Sequence, residues 1–317
     1  VGLGGRLDAT NVITPMASVI TSLSYDHMHL LGESLSDIAR EKAGIIKSGV
    51  PVISAPQQHE AERVVEDAAH SLDAPLSLVG RDWLYSPGTR DLSGQSLYIW
   101  SSAEQPLMDA YVESAGGEEW APPRYWIPLL GHHQVVNGAV AYATIQVLKT
   151  QGLEVREDVI QKGFRETNWP GRFQILSTNP VLVVDAAHNR DSALKLRIAL
   201  DDFFPGRQVT LIFGASADKD IPGMLIELLP RVSRLIVTQA DHPRAADPED
   251  LARVAHSHGL RVEIDEHVEA ALDLALKQTW PEGVVLATGS LFIVGEILSA
   301  WEKRERSIPL DVEEGVK

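Results

Sequence analysis

Several polar residues in this sequence directly follow short apolar runs, and their types limit the chemistry they can do. Asp185 closes the run Val181-Leu182-Val183-Val184 and leads into Ala186-Ala187-His188-Asn189. A carboxylate and an imidazole three residues apart at a strand end form a common ligand geometry that names no single ligand. Arg172, after Trp169-Pro170-Gly171, has two readings: a partner for a carboxylate, or a planar fork for a phosphate. Lys42, in Arg40-Glu41-Lys42-Ala43-Gly44, reads on its own as a solvated helix lysine. His27 lies in Asp26-His27-Met28-His29, a His-x-His pattern with no third metal ligand at a recognisable spacing. His132-His133 and His256-Ser257-His258 are equally unspecific, and His258 is expected in the last turn of a helix, where a cation suits the dipole.

Other chemistries are excluded by what is missing. The opening Gly2-Leu3-Gly4-Gly5 fails as a dinucleotide fingerprint, because the third glycine would fall on Leu7; a tight turn fits better. No Gly-x-x-x-x-Gly-Lys loop occurs, and no Gly-Lys pair exists in the sequence. There are no cysteines, which removes disulfides, thiolate metal sites and Cys nucleophiles. With 28 basic and 44 acidic residues the formal charge is −16, against a nucleic-acid or anionic-membrane binder. A few local cations or main-chain N–H groups still suffice to hold a phosphate. With no membrane-length apolar run and no basic-then-apolar leader, a cytoplasmic protein is expected.

The elements that must position these residues alternate between short apolar strands and amphipathic helices. In the C-terminal half, strands are expected at 181–184, 208–213, 234–238, 262–264 and 284–287, with helices at 192–204, 221–229, 247–258, 268–278 and 291–301. That alternation predicts an α/β fold with a mostly parallel sheet. In such a sheet the clusters Asp185 to Asn189, Asp218-Lys219-Asp220, Asp241-His242-Pro243-Arg244 and Thr288-Gly289-Ser290 share the carboxyl-end edge, where ligands bind. The N-terminal half is α/β but incomplete. It has a strand at 18–23, a helix opened by a Ser34/Asp37 capping box and closed by Gly44, a strand at 50–54 and helices at 61–72 and 134–150. Residues 80–128 read as short strands and loops, and Trp169-Pro170-Gly171-Arg172 is the expected hinge between domains at 1–168 and 169–317.

The order of the motifs carries a further reading. Val1-Gly2-Leu3-Gly4-Gly5-Arg6-Leu7-Asp8-Ala9-Thr10-Asn11, then Asp26-His27, Leu31-Gly32 and Ile38 to Lys47, run in the order of the folylpolyglutamate synthase/dihydrofolate synthase family. Gly131-His132-His133-Gln134 with Asn137, Trp169-Pro170-Gly171-Arg172, Asp185-x-x-His188-Asn189, Asp218-Lys219-Asp220 and Gly289 to Glu296 continue it. The sequence therefore resembles that family, part of the Mur ligase superfamily, over nearly all of its length except 80–128.

The resemblance implies a P-loop-type ATPase domain followed by a Rossmann-like C-terminal domain, with the active site in the cleft between them. It implies an ATP-dependent ligase of folate biosynthesis, a monomer with small-molecule substrates. The γ-phosphoryl of ATP passes to the terminal carboxylate of dihydropteroate or a folate, and the amine of L-glutamate attacks the acyl phosphate. Lys42 and His188 would be catalytic. Asn137, Arg172 and Asp185 would bind ATP, at adenine, phosphate and ribose. Lys219 and Ser290 would touch the incoming glutamate. His27 and a carbamylated Lys42 would hold Mg²⁺, a carbamate being the oxygen anion that an ammonium is not.

Departures from the family pattern are Gly138 for an Ala and Arg190 for a Pro. The family's phosphate loop and a metal-binding Glu would lie upstream of Val1. The expectation is therefore an N-terminally truncated ligase, inactive as this chain alone. The other readings are a catalytically dead remnant or binding module, and a relative of the Mur peptidoglycan ligases.

Overall fold

The computed structural model describes residues 1–2, 4–25, 28–116, 120–257, 259 and 261–307, and for 28, 29 and 307 the backbone alone. The chain divides into two units, Val1–Asn168 and Trp169–Lys317, each with its own core.

The first unit begins with the loop Val1 to Asp8 and a 3-10 turn over Ala9–Val12, capped by the Asp8 carboxylate. Its elements are β1 (Ser18–Ile20), α1 (Met28–Leu31), α2 (Leu35–Ala43), β2 (Val52–Ser54), α3 (His59–Ser71), β3 (Leu76–Leu78), β4 (Trp83–Asp91), β5 (Gly94–Ser101), α4 (Gln105–Glu113), β6 (Arg124–Ile127), α5 (His132–Thr150) and α6 (Glu157–Arg165). Among the described residues they form a parallel sheet β1-β2-β3 and an antiparallel sheet β4-β5-β6. α2 opens with the expected capping box: Ser34 Oγ accepts the Asp37 N–H while the Asp37 carboxylate accepts the Ser34 N–H and O–H. Its apolar positions Leu35, Ile38, Ala39 and Ala43 are buried at helical spacing, and Gly44 closes it in a right-handed conformation. The core of this unit joins Ile53 and Val79 to Leu97, Ile99, Tyr125, Val135, Ala139 and Phe164.

The second unit contains β7 (Gln174–Thr178), β8 (Val181–Val184), α7 (Arg190–Phe203), β9 (Val209–Phe213), α8 (Ile221–Leu228), β10 (Val232–Val237), α9 (Pro248–His256), β11 (Val262–Ile264), α10 (Val268–Gln278), β12 (Val284–Thr288) and α11 (Leu291–Ser307). The sheet order is β11-β10-β9-β12-β8-β7, parallel except for β7. Every residue of β8, β9 and β12 is buried, as apolar runs between two helical layers must be. β12 is inserted between β8 and β9, so the loop after it lies beside the loops after both.

The strand–helix alternation expected for the C-terminal half is the one observed. Two differences have physical causes. β7 has no counterpart among the expected strands; it lies antiparallel on β8 at the edge of the sheet, and its residues are half-buried on both faces rather than alternating. α11 runs on to Ser307 because its exposed end, rich in Glu, Lys and Arg, extends the helix without any apolar period to mark it. His258 lies outside the described residues.

Candidate active site

Asp185 sits at the carboxyl end of β8 and is 7% exposed. Its Oδ2 accepts the Phe173 N–H at 2.8 Å and its Oδ1 accepts the Ala187 N–H at 2.8 Å. Burial pushes the carboxyl up to about 6, against the pull of those two N–H groups and of the Arg172 and His188 charges. His188 is half-buried. Its N–H donates to Ser192 Oγ at 3.0 Å, and its Nδ1 lies 2.9 Å from the Ala186 carbonyl. A carbonyl only accepts, so Nδ1 carries the proton and a neutral ring keeps its basic nitrogen at Nε2. Asn189 then caps α7, its Oδ1 accepting the Ser192 N–H at 2.9 Å.

Arg172 is half-buried on the turn entering β7, between Gly171 (φ +74°) and Phe173 (φ +42°). At Gly171 a Cβ would stand 2.7 Å from Val294 Cγ1, so a side chain there would strain the backbone and displace Val294. After β9 the loop through Ser216 zips onto the loop after β10: Ala217 N–H donates to Arg244 O and Ala246 N–H to Ala215 O, both at 2.9 Å. Lys219, half-buried, projects from the first of these loops, just before Asp220, which caps α8 through the Gly223 N–H. After β12, Gly289 (φ +110°) donates its N–H to Ala187 O at 3.1 Å. Ser290, 6% exposed, accepts the Ile293 N–H at 3.1 Å in the manner of an N-cap. The loops bearing Asp185, His188, Lys219 and Ser290 therefore share one sheet edge, with Arg172 joined to it through Phe173.

In the first unit the glycine-rich opening is fastened to α2. Arg6 N–H donates to Glu41 O at 2.9 Å and the Arg6 guanidinium pairs with the Glu41 carboxylate at 3.1 Å. A Cβ on Gly5 would meet Glu41 O at 2.7 Å, so the close approach requires glycine. Asp8 accepts N–H groups of Gly2 and Thr10 and the Thr10 hydroxyl, which hold its carboxyl down at about 2, the hydroxyl foremost. Lys42, half-buried in the last turn of α2, donates from Nζ to the Gly2 carbonyl at 3.0 Å. Asn137 is exposed on α5 and donates to Gln134 Oε1 at 3.1 Å. His27 lies outside the described residues.

Residues 171–291 match the model of the Mur ligase glutamate ligase domain. The chain is 32% identical to the dihydrofolate synthase/folylpolyglutamate synthase of Escherichia coli over 304 residues, 96% of this chain and 64% of that protein. It superposes on a Mycobacterium tuberculosis folylpolyglutamate synthase complexed with ADP and AMPPCP with a TM-score of 0.80, at 28% identity, over 95% of this chain and 67% of the other. The chain is thus strongly homologous to folylpolyglutamate and dihydrofolate synthases along nearly its whole length. A bifunctional member from Yersinia pestis, complexed with AMPPNP and a Mn ion, is also similar, with a TM-score of 0.75 and 28% identity over 95% of this chain and 65% of that one. The chain spans about a third of the relatives from Haloferax volcanii and Halobacterium salinarum, and less than two thirds of those from Bacillus subtilis, Escherichia coli and Mycobacterium tuberculosis.

Within the synthase fold, the sequence left several features unread. Among the described residues no cluster of three or more His, Asp or Glu side chains forms a metal site. Lys42 as an amine is a donor, so the described residues do not by themselves fit a divalent cation. The 740 Å³ cavity on the second unit's edge is lined by Asp241, His242, Glu266, His267, Glu269 and Glu296; it takes in the expected edge cluster at Asp241-His242-Pro243 but none of the residues expected to meet ATP, glutamate or metal. Its acidic lining opposes an anionic ligand. Gln95, from the stretch without resemblance, is 4% exposed. It donates to the carbonyls of Leu129 and Gly131 at 2.7 and 2.8 Å and so fixes the entry to the helix bearing Asn137. No local signal marks it, because both partners lie more than thirty positions away.

Proposed function

We propose that the protein to which this chain belongs is an ATP- and Mg²⁺-dependent ligase that adds L-glutamate to dihydropteroate or to a folate, acting as a cytoplasmic monomer. Residues 1–168 contribute part of its ATPase domain and 169–317 its ligase domain. The observation that carries the reading is the single sheet edge bearing Asp185, His188, Lys219 and Ser290, with Arg172 tied to it, inside the segment that matches a glutamate ligase domain.

In this reading a carboxylate oxygen of the pterin or folate takes the γ-phosphoryl group and ADP departs. The glutamate amine then adds to the acyl carbon, loses a proton, and expels phosphate as the amide forms. Arg172 offsets charge on the transferring phosphoryl. Asn137 contacts adenine and Asp185 serves the nucleotide end. His188 lies near the reacting carboxylate, and its Nε2, the nitrogen not facing the Ala186 carbonyl, is suited to take the amine proton. Lys219 and Ser290 receive the glutamate carboxylate. Mg²⁺, held by His27 and a carbamate on Lys42, would neutralise phosphate charge.

The experiment is an ADP-release assay on a protein that carries this chain together with a Gly-x-x-x-x-Gly-Lys loop. ADP is expected only when Mg²⁺, a pterin or folate acid and glutamate are all present; release that ignores glutamate overturns the reading. Comparing dihydropteroate with folate as acceptor separates the two synthase activities. Residues 1–317 alone contain no such loop, and are expected to release no ADP under the same conditions. Turnover by that chain would refute the expectation that it is inactive.

A further inference from the structure

Phe173 is the one buried residue with a left-handed backbone that is not glycine among the described residues, at φ +42° and 1% exposure. That conformation is unfavourable for any residue with a Cβ, so the surroundings must hold it. Its ring packs against Phe203 and Phe204, with centroids 5.7 and 6.3 Å away. The neighbouring Gly171 gives its carbonyl to the Ala186 N–H at 2.9 Å and its N–H to Gln174 Oε1 at 2.9 Å. The Phe173 N–H goes to one oxygen of Asp185, whose other oxygen takes the Ala187 N–H. Ala187 lies next to His188, and its carbonyl accepts the Gly289 N–H.

We propose that Asp185 is a positioning residue, whose two carboxylate oxygens brace the strained Arg172 turn and the His188 loop against each other. The proposal rests on the function proposed above for what Arg172 and His188 do, although the brace itself is independent of it. A carboxylate is an acceptor at both oxygens, which two N–H groups approaching from different segments require. At 7% exposure, water is poorly placed to replace either bond. Without the bond to Phe173 the backbone is free to leave its left-handed conformation, and Arg172, one bond earlier in the chain, moves with it. Asp185 thus serves the nucleotide end by fixing where Arg172 points, and ties that position to the His188 loop.

Protonation offers a way to open the brace, because it converts one acceptor oxygen into a hydroxyl that donates. The charged or titratable groups acting on Asp185 are Arg172 from the turn and His188 from its own loop. On the β12 side its own N–H meets the Ala287 carbonyl, in a strand end of Ala287 and Thr288 that carries no charge. The elevated carboxyl, near 6, puts this opening within reach of a mild acid titration.

The test is a nuclear magnetic resonance titration of residues 1–317, without nucleotide, in a His188→Gln background that removes the imidazole's own titration. The Phe173 and Ala187 amides and the Arg172 Nε–H are expected to shift together with one midpoint near 6. Asp185→Asn, which offers one acceptor and one donor, should abolish the shared titration and raise Phe173 amide exchange by about tenfold or more. Separate midpoints, or a shared titration that survives in Asp185→Asn, would overturn the proposal. If Asp185→Asn does not fold, the shared or separate midpoints of the parent chain still decide. The ADP-release assay on a protein that carries the phosphate loop reports on the functional reading alone, since an intact brace with ADP release that ignores glutamate would count against that reading and leave the brace standing.

Discussion

At neutral pH the Asp185 side chain is an ionised carboxylate held almost dry, and its cost has a definite sign. Burial lifts the carboxyl from 3.8 to about 6 in the fold, while the unfolded chain keeps the ordinary value. Between those values the folded state retains a proton that the unfolded state has released. The group's contribution is therefore most favourable below 3.8 and is lost as the pH rises through about 6. The span amounts to roughly 3 kcal/mol, an order-of-magnitude figure. Urea unfolding should show the stability of the wild type relative to Asp185→Asn falling by about 1–3 kcal/mol between about pH 4 and about pH 7. A difference independent of pH would mean that the two N–H groups fully offset the buried charge. At Ser290 the hydroxyl oxygen already accepts a helix N–H, so Ser290→Ala should cost about 1 kcal/mol by denaturant titration even without substrate. Ser290→Thr should recover most of it; no loss in Ser290→Ala would show that the cap is idle. Asp185 and His188 stood out in the sequence as residues of the expected type after a strand, and Arg172 by its place in the Trp169-Pro170-Gly171-Arg172 hinge. The brace was not, because it links Asp185 to a main-chain N–H twelve positions earlier that no side-chain identity announces.

At the scale of elements, the buried parallel strands declared themselves as unbroken apolar runs, and helix starts declared themselves through Ser34/Asp37 and Asp247-Pro248. β7 did not, since a half-buried edge strand has neither an apolar run nor a clean alternation. The β4-β5-β6 sheet was visible only as unspecific strands and loops, because Pro87 and Gly88 break the pattern of β4, and β6 pairs with β5 from beyond α4. The junction of β12 with α11 depends on Gly289, whose φ is +110° and where a Cβ would stand 2.5 Å from the Gly214 carbonyl oxygen. Both constraints oppose any side chain. Gly289→Ala is expected to destabilise the second unit by about 2–4 kcal/mol and to lower its melting temperature. A melt unchanged from the wild type would show that the β9 loop yields without cost.

At the scale of the whole molecule, contacts divide the chain between Asn168 and Trp169, and the two cores differ in how well they are covered. The second unit has a six-stranded sheet with its central strands buried on both faces. The first leaves Leu7, Val12, Ile13 and Met16 more than half exposed, and Val19 of β1 at 36%. Residues 169–317 are therefore expected to unfold cooperatively when produced alone. Residues 1–168 should melt at lower denaturant, with a tendency to associate through the β1 edge. A cooperative melt of 1–168 at the higher midpoint would reverse that ranking.

The exposure of Trp169 has a practical consequence. Its indole is 63% exposed, three residues before the guanidinium proposed to meet phosphate, and of the seven tryptophans only Trp280, at 75%, is more open. A water-soluble quencher therefore selects these two emitters from the rest. In a Trp280→Phe background the quenchable light comes chiefly from Trp169, so the chain carries its own lamp beside Arg172. Its dimming or brightening on addition of inorganic triphosphate would report events at that turn without any attached dye.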